Sequence, residues 1–237
     1  MSASPPRFCV VKEGRLNGEV AWNGQDGYYL VRNELNVLTA FEKAGIGAPK
    51  VFSSFEVNGN FYFVMEYLEG QTLNEIIKIR RRRFSLRQIT KFGIEIARIL
   101  DTIHKAGWVW NDCKPANLLV TAQGVLRPID FEGAHRIDRS NTFNWMTKGF
   151  SRPVARENAT PAEKISEELY SLGAVIYFLI TGQFHEPAGP DWIRRSRRNI
   201  PKEFRSLLTK LLGNTRPDER FNAVAVELEF QNILRSI

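Results

Sequence analysis

The chain is poor in the features that stabilise or target a protein by special means. Its 237 residues include only two cysteines, Cys9 and Cys113. They lie far apart and lack metal-ligand spacing, which argues against a disulfide scaffold and fits a reducing compartment. The stretch from Met1 to Pro6 is short and polar, with no apolar signal region behind a basic one. The longest apolar run, Leu172 to Ile180, is too short to span a bilayer. No internal repeat is visible. These absences lead us to expect a soluble, cytoplasmic protein without a membrane span. What is present is ordinary for a globular chain, with 43% hydrophobic and 25% charged residues. The length suits one large domain or one two-lobed domain. A formal charge of +7 favours acidic partners such as nucleotides, acidic peptides or membrane surfaces, without choosing among them. The strongly biased patches are Arg80–Arg83 and the cluster Arg194, Arg195, Arg197 and Arg198.

The first part of the chain reads as strand-rich. Phe8 to Lys12 is apolar and β-branched, which predicts a buried strand ending in a lysine. Asn17-Gly18 and Asn23-Gly24 are turn signals. Leu30, Leu35, Leu38 and Phe41 predict an amphipathic helix from Tyr29 to Ala44 that carries Glu34. The run Gly45 to Pro49 stops it. Two strands follow, Val51 to Val57 and Phe61 to Glu66, and Asn58-Gly59 between them is a strong hairpin signal. Tyr67 to Thr72 reads as a connector.

The remainder reads as helical, except around one stretch. Ser85 and Gln88 predict a capping box for a helix to about Ala106. Short strands around Leu118 and Leu126 flank Gly124. A helix from about Ser166 to Thr181 is apolar on nearly all sides and should be buried. Helices near Pro201–Leu212 and Asn222–Ile237 close the chain.

The exceptional stretch is Trp110-Asn111-Asp112-Cys113-Lys114-Pro115-Ala116-Asn117, followed after a strand by Ile129-Asp130-Phe131-Glu132. It sets an aspartate, a lysine, an asparagine and a second aspartate in fixed order, and phosphoryl transfer needs such a set. One carboxylate can orient an attacking hydroxyl. The ammonium can screen the transferring phosphate, while the amide and the second carboxylate can hold metal ions.

This stretch resembles the catalytic and metal-binding loops of the protein kinases, and the resemblance covers nearly the whole chain. It implies an α+β, protein-kinase-like two-lobed fold, with a truncated small lobe over residues 1–66 and a helical large lobe over 67–237. Lys12 matches the family's small-lobe lysine, and Glu34 its helix partner; together they would neutralise the α- and β-phosphates of ATP. Met65 takes the gatekeeper position, and backbone groups of Glu66 and Leu68 would bind the adenine edge. Asp112 would orient or deprotonate the substrate hydroxyl. Lys114 would touch the γ-phosphate, and its spacing from Asp112 looks like the serine/threonine type. Asn117 and Asp130 would ligate Mg²⁺. Ala155-Arg156-Glu157 resembles the end of the activation segment, Glu168 to Gly173 the start of a buried helix, and Asn214 to Arg220 the source of an arginine. A Glu157–Arg220 ion pair is therefore expected.

Departures from the family pattern are specific. Trp110-Asn111 replaces the His-Arg before the aspartate, so an activation-segment phosphate has lost its usual reader, and phosphorylation there is not expected to control the protein. Asp-Phe-Gly is Asp130-Phe131-Glu132. Only eleven residues precede Lys12, so the glycine-rich loop and its two strands are lost, or the chain begins inside a longer domain. Val11 to Gly14, Gly27 to Glu34 and Ile129 to Ala134 resemble the kinase domain of class III and IV lanthionine synthetases, which phosphorylate serine and threonine on a precursor peptide. The resemblance implies an ATP- and Mg²⁺-dependent kinase acting on a protein or peptide, with an acidic peptide as one reading of the basic patches and no nucleic-acid partner. The rival is a pseudokinase-like module that binds nucleotide or a partner with little turnover.

Overall fold

The structure is a computed structural model that describes residues 8–18, 20, 26–139, 147–152, 159–187, 191, 193, 199–213 and 221–237. Three antiparallel strands open it. They are β1 (Cys9–Gly14), β2 (Val51–Val57) and β3 (Asn60–Glu66), in the order β1-β3-β2. Asn58 and Gly59 have φ of 52° and 81°, as a tight two-residue hairpin turn requires. On β3, Phe61, Phe63 and Met65 alternate inward with period two. Lys12 pairs with Phe63 in the register, so it shares that inward face. Helix α1 (Gly27–Lys43) covers the face with Val31, Leu38 and Phe41. It starts where the Asp26 side chain accepts from the Tyr29 N–H at 3.1 Å, an N-cap that satisfies one orphan helix donor.

The expected buried first strand is instead an edge strand with alternating exposure. Cys9 and Val11 face outward, whereas Val10 and Lys12 are half-buried. Its apolar composition came from one covered face plus exposed β-branched positions, and composition alone cannot separate these.

The helical part forms around α2 (Leu86–Lys105) and α3 (Pro161–Thr181). Both begin with a complete capping box, Ser85 with Gln88 and Thr160 with Glu163. The second box, with Pro161 in the first turn, starts α3 five residues ahead of the expected Ser166. Most of α3 is buried, as its apolar girth implied. Helices α4 (Lys202–Leu212) and α5 (Ala223–Ser236) pack behind it, α5 mainly against α2. Helices α2 and α5 pack tightly at Gly93, where an added Cβ would lie 2.8 Å from the Phe230 ring. No helix among the described residues is long and apolar enough to cross a membrane.

Between these parts run short elements. β4 (Gly70–Thr72), β6 (Leu118–Thr121) and β7 (Leu126–Pro128) form a second sheet, and β5 (Trp108–Val109) pairs with β8 (His135–Arg136). β4 lies in the stretch expected to be a plain connector. One continuous apolar core joins α1 and the first sheet to α2 and α3. The sheets β4-β6-β7 and β5-β8 hold the loop 110–117 and the turn 129–134 at fixed positions beside α1.

Candidate active site

The loop 110–117 is suspended from one buried carboxylate. Glu168 of α3 is 3% exposed. Its Oε1 accepts from the backbone N–H of Trp110 at 2.6 Å and of Asn111 at 2.7 Å, and its Oε2 lies 2.6 Å from His104 Nε2. A buried carboxylate is tolerated only when its oxygens are satisfied, and here three donor groups do so. The glutamate stands where the family usually has an aspartate. His104 of α2 takes up its second oxygen.

Asp112 and its neighbours form a compact hydrogen-bonded unit. Lys114 Nζ lies 2.6 Å from Asp112 Oδ2, and Asn117 Nδ2 donates to the same oxygen at 2.8 Å. The Asn117 Nδ2 also reaches the Asp112 carbonyl at 3.1 Å. Thr147 Oγ1 donates to Asp112 Oδ1 at 3.0 Å. Burial raises the Asp112 carboxyl above the ordinary aspartate value, against the pull of the Lys114 ammonium and the Thr147 hydroxyl; the Asp130 charge adds to the rise. A carboxylate whose basicity is raised by burial and which is oriented on both oxygens is suited to general-base work.

The second unit surrounds Lys12. Its ammonium lies 2.6 Å from Glu34 Oε2, 3.0 Å from Glu132 Oε1 and 3.4 Å from Asp130 Oδ1. Burial alone would lower this lysine, but the charges of Glu34, Asp130 and Glu132 outweigh it and hold it above its ordinary value. Glu34 is 1% exposed, and burial pushes its carboxyl up against the opposing charge of Lys12. Its other oxygen accepts the Phe131 N–H at 3.1 Å, so α1 grips both Lys12 and the turn that carries Asp130.

Aromatic packing ties the two units together. Phe131 sits between Phe41 of α1, with centroids 5.0 Å apart, and Trp110, at 5.4 Å. All three rings are fully buried. Trp110 Nε1 also donates to the Asp130 carbonyl at 2.8 Å. Asn111 and Asp130 both adopt a left-handed backbone, with φ of 66° and 64°. Asn and Asp tolerate that region better than other non-glycine residues, and such strain concentrates at functional sites.

The expected residues thus gather into two groups: Asp112, Lys114 and Asn117 in one, Lys12, Glu34 and Asp130 in the other. Met65 is buried at the end of β3, and Leu68 lies just beyond it. The Glu66 N–H donates to the Lys50 carbonyl at 2.8 Å. The donor set fits a hard cation. With its amide nitrogen on Asp112, Asn117 presents its carbonyl oxygen, and the Asp130 side chain is 40% exposed. Ala155 to Glu157 and Asn214 to Arg220 lie outside the described residues, and with them the expected Glu157–Arg220 pair. So does the cluster Arg194–Arg198.

Three contributors escaped the sequence reading. Thr147 stands between Asp130 and Glu157 with no motif around it, yet its hydroxyl is on Asp112. Glu132 was noted only for the glycine it replaces, yet it contacts Lys12. His104 carried no signal of its own.

A family model described as the protein kinase domain matches residues 16–228; Lys12 lies ahead of that range. Among curated proteins, the chain is 33% identical over 164 residues to a probable serine/threonine-protein kinase of Clostridium perfringens, covering 64% of this chain and 23% of that one. It is 32% identical over 126 residues to a probable serine/threonine-protein kinase PknB of Bifidobacterium longum, covering 52% and 18%. It is 31% identical over 157 residues to the serine/threonine-protein kinase PknA of Mycobacterium tuberculosis, covering 64% and 36%. The chain therefore spans well under half the length of these relatives.

Proposed function

The chain belongs to the protein kinase family, and on that premise we propose that it is an ATP- and Mg²⁺-dependent serine/threonine kinase acting on a protein or peptide. The observation that carries this reading is the Asp112 unit. One carboxylate accepts from Lys114 on one oxygen and from Thr147 on the other, with Asn117 fixing the loop. Asp112 would take the hydroxyl proton of a serine or threonine as its oxygen attacks the γ-phosphorus in line and the bond from that phosphorus to the β,γ-bridging oxygen breaks, with ADP as the leaving group. Lys114, already beside that carboxylate, would screen the transferring phosphoryl oxygens. Lys12, steadied by Glu34, would hold the α- and β-phosphates. When bound, Mg²⁺ would neutralise phosphate oxygens between the side chains of Asn117 and Asp130. Backbone groups of Glu66 and Leu68 would take the adenine edge. Residues 1–66 and 67–237 would act as small and large lobes, with Met65 to Leu68 as the hinge.

The finer substrate reading is a lanthipeptide precursor, supported by the Asp130-Phe131-Glu132-Gly133-Ala134 sequence. A second reading, a nucleotide- or partner-binding module with little turnover, is favoured by the crowding of carboxylates around Lys12. Incubation with γ-labelled ATP, Mg²⁺ and a panel of serine, threonine and tyrosine peptides tests these together. Label on serine or threonine supports the kinase. Nucleotide binding without transfer to any peptide or to the chain itself supports the binding module. Preference for acidic, serine-rich peptides supports the precursor-type substrate.

A further inference from the structure

Glu132 places a carboxylate where the family has a glycine, and that carboxylate is not idle. Its Oε1 is 3.0 Å from Lys12 Nζ, closer than the 3.4 Å of Asp130. The three carboxylates around Lys12 differ in kind. Glu34 is buried and spent on Lys12 and the Phe131 N–H. The Asp130 and Glu132 side chains are 40% and 32% exposed, on the open side of the lysine. Three carboxylates and one ammonium leave this corner with a formal charge of minus two. A nucleotide phosphate chain is also an anion. It would have to displace Glu132 from Lys12 and enter a negative field while doing so.

A divalent cation relieves both costs. Ligand oxygens of Glu34, Asp130 and Glu132 lie within 4.8 Å of one another. Because Glu34 is committed to Lys12, this trio is not a cage in itself. A cation arriving with the phosphates beside Asp130 would offset the charge of Glu132 and free Lys12 for the phosphate oxygens.

We propose that Glu132 couples nucleotide binding to divalent cation, occupying Lys12 when the cation is absent and releasing it when cation and phosphates arrive together. The proposal rests on the nucleotide-site reading above. It assigns to Glu132 a specificity role, the rejection of cation-free nucleotide, that a glycine at this position could not perform. The contact is one-third exposed, so solvent screens it. The effect is therefore expected to be about tenfold in affinity, well below what a buried pair would give.

The test is calorimetric titration of ADP into the unmodified protein, Glu132→Gln and Glu132→Gly, each in EDTA and in excess Mg²⁺. The unmodified protein should bind far more tightly with Mg²⁺. Both variants should bind about tenfold tighter than it does in EDTA, so that the ratio of the two affinities contracts by that factor. An unchanged ratio, with ADP still bound in Mg²⁺, overturns the role of Glu132 and leaves the nucleotide site standing. Absence of ADP binding by the unmodified protein under both conditions overturns both. Should the variants fail to fold, the salt dependence of the unmodified protein in EDTA decides. A net negative corner predicts that ADP binds more tightly as ionic strength rises, because repulsion is screened. Weaker binding with salt, as plain lysine–phosphate attraction gives, overturns the proposal.

Discussion

The two halves of the site are built in opposite ways. Around Asp112, three groups from a single loop bond one another at short range, and among the described residues Thr147 alone joins them from elsewhere. Around Lys12, the partners come from positions 34, 130 and 132 and meet only because α1, β1 and the turn after β7 pack together. In the first half Asp112, Lys114 and Asn117 keep the order and spacing of the family pattern, with Trp110-Asn111 in place of its His-Arg. The second carries one negative charge more than the pattern asks for. On the proposed reading, chemistry and nucleotide capture can depart from a family independently, because separate parts of the fold hold the two groups of residues.

The largest effect should come from the local half. Asp112→Asn keeps the size of the side chain but removes the base, and should lower the rate of peptide phosphorylation by about 10²–10⁴-fold. Affinity for nucleotide should change little, as measured by titration. A variant that loses nucleotide binding as well would show that the halves are not separable.

The support beneath that half comes next. Glu168→Gln leaves one side of a buried cluster without its charge, and removing one partner of a buried pair costs roughly 3–5 kcal/mol when fully desolvated. A melting temperature lowered by several degrees is expected, together with reduced kcat per folded molecule. Unchanged melting would mean that His104 and the two N–H groups find other partners.

On the distant half, Glu34→Gln should raise KM for ATP more than it lowers kcat, since Lys12 loses its buried anchor while Asp112 keeps its bonds. Equal losses in both constants would tie Lys12 to the chemical step.

A smaller effect separates contact from regulation. Thr147→Ala removes a hydroxyl from Asp112 and should cost roughly fivefold in kcat, a loss of about 1 kcal/mol. Phosphatase treatment of the unmodified protein should cost nothing, because Asn111 replaces the phosphate-reading arginine. Activity lost on phosphatase treatment would contradict that.

The smallest concerns the exposed run Arg80–Arg83. Replacing all four by serine should raise KM for an acidic peptide a few fold at low salt and hardly at all at high salt, where the Debye length shrinks to about 3 Å.

How much of this was legible in the sequence follows from range. The hairpin at Asn58-Gly59, the Ser85 capping box and the buried girth of α3 are local patterns, and the structure has each of them. Asp112, Lys114 and Asn117 were legible as candidates because they share one short loop, whereas the hydrogen bonds of Lys114 and Asn117 to the Asp112 carboxylate are seen only in the structure. The pairing of Lys12 with Glu34 was inferred from their order before the hinge, and the two side chains are in contact. The short strands β4, β5 and β8 were missed, being two or three residues long and held only by their partners. The start of α3 lies ahead of its apolar run because Thr160, Pro161 and Glu163, all outside that run, form its cap. The contacts of Glu132 and Thr147 depend on chain segments brought together by the fold, and nothing in their immediate neighbours announces them.

The proposed function requires that a hydroxyl-orienting half around Asp112 and a phosphate-holding half around Lys12 serve the same nucleotide. The most direct measurement compares transfer of labelled γ-phosphate to a serine or threonine peptide with binding of Mg²⁺–ATP, in the unmodified protein, Asp112→Asn and Asp130→Asn. The account predicts transfer by the unmodified protein alone, nucleotide binding retained by Asp112→Asn, and Mg²⁺-dependent binding weakened in Asp130→Asn. Transfer that persists undiminished in Asp112→Asn, or nucleotide affinity that ignores both Mg²⁺ and Asp130, would contradict it.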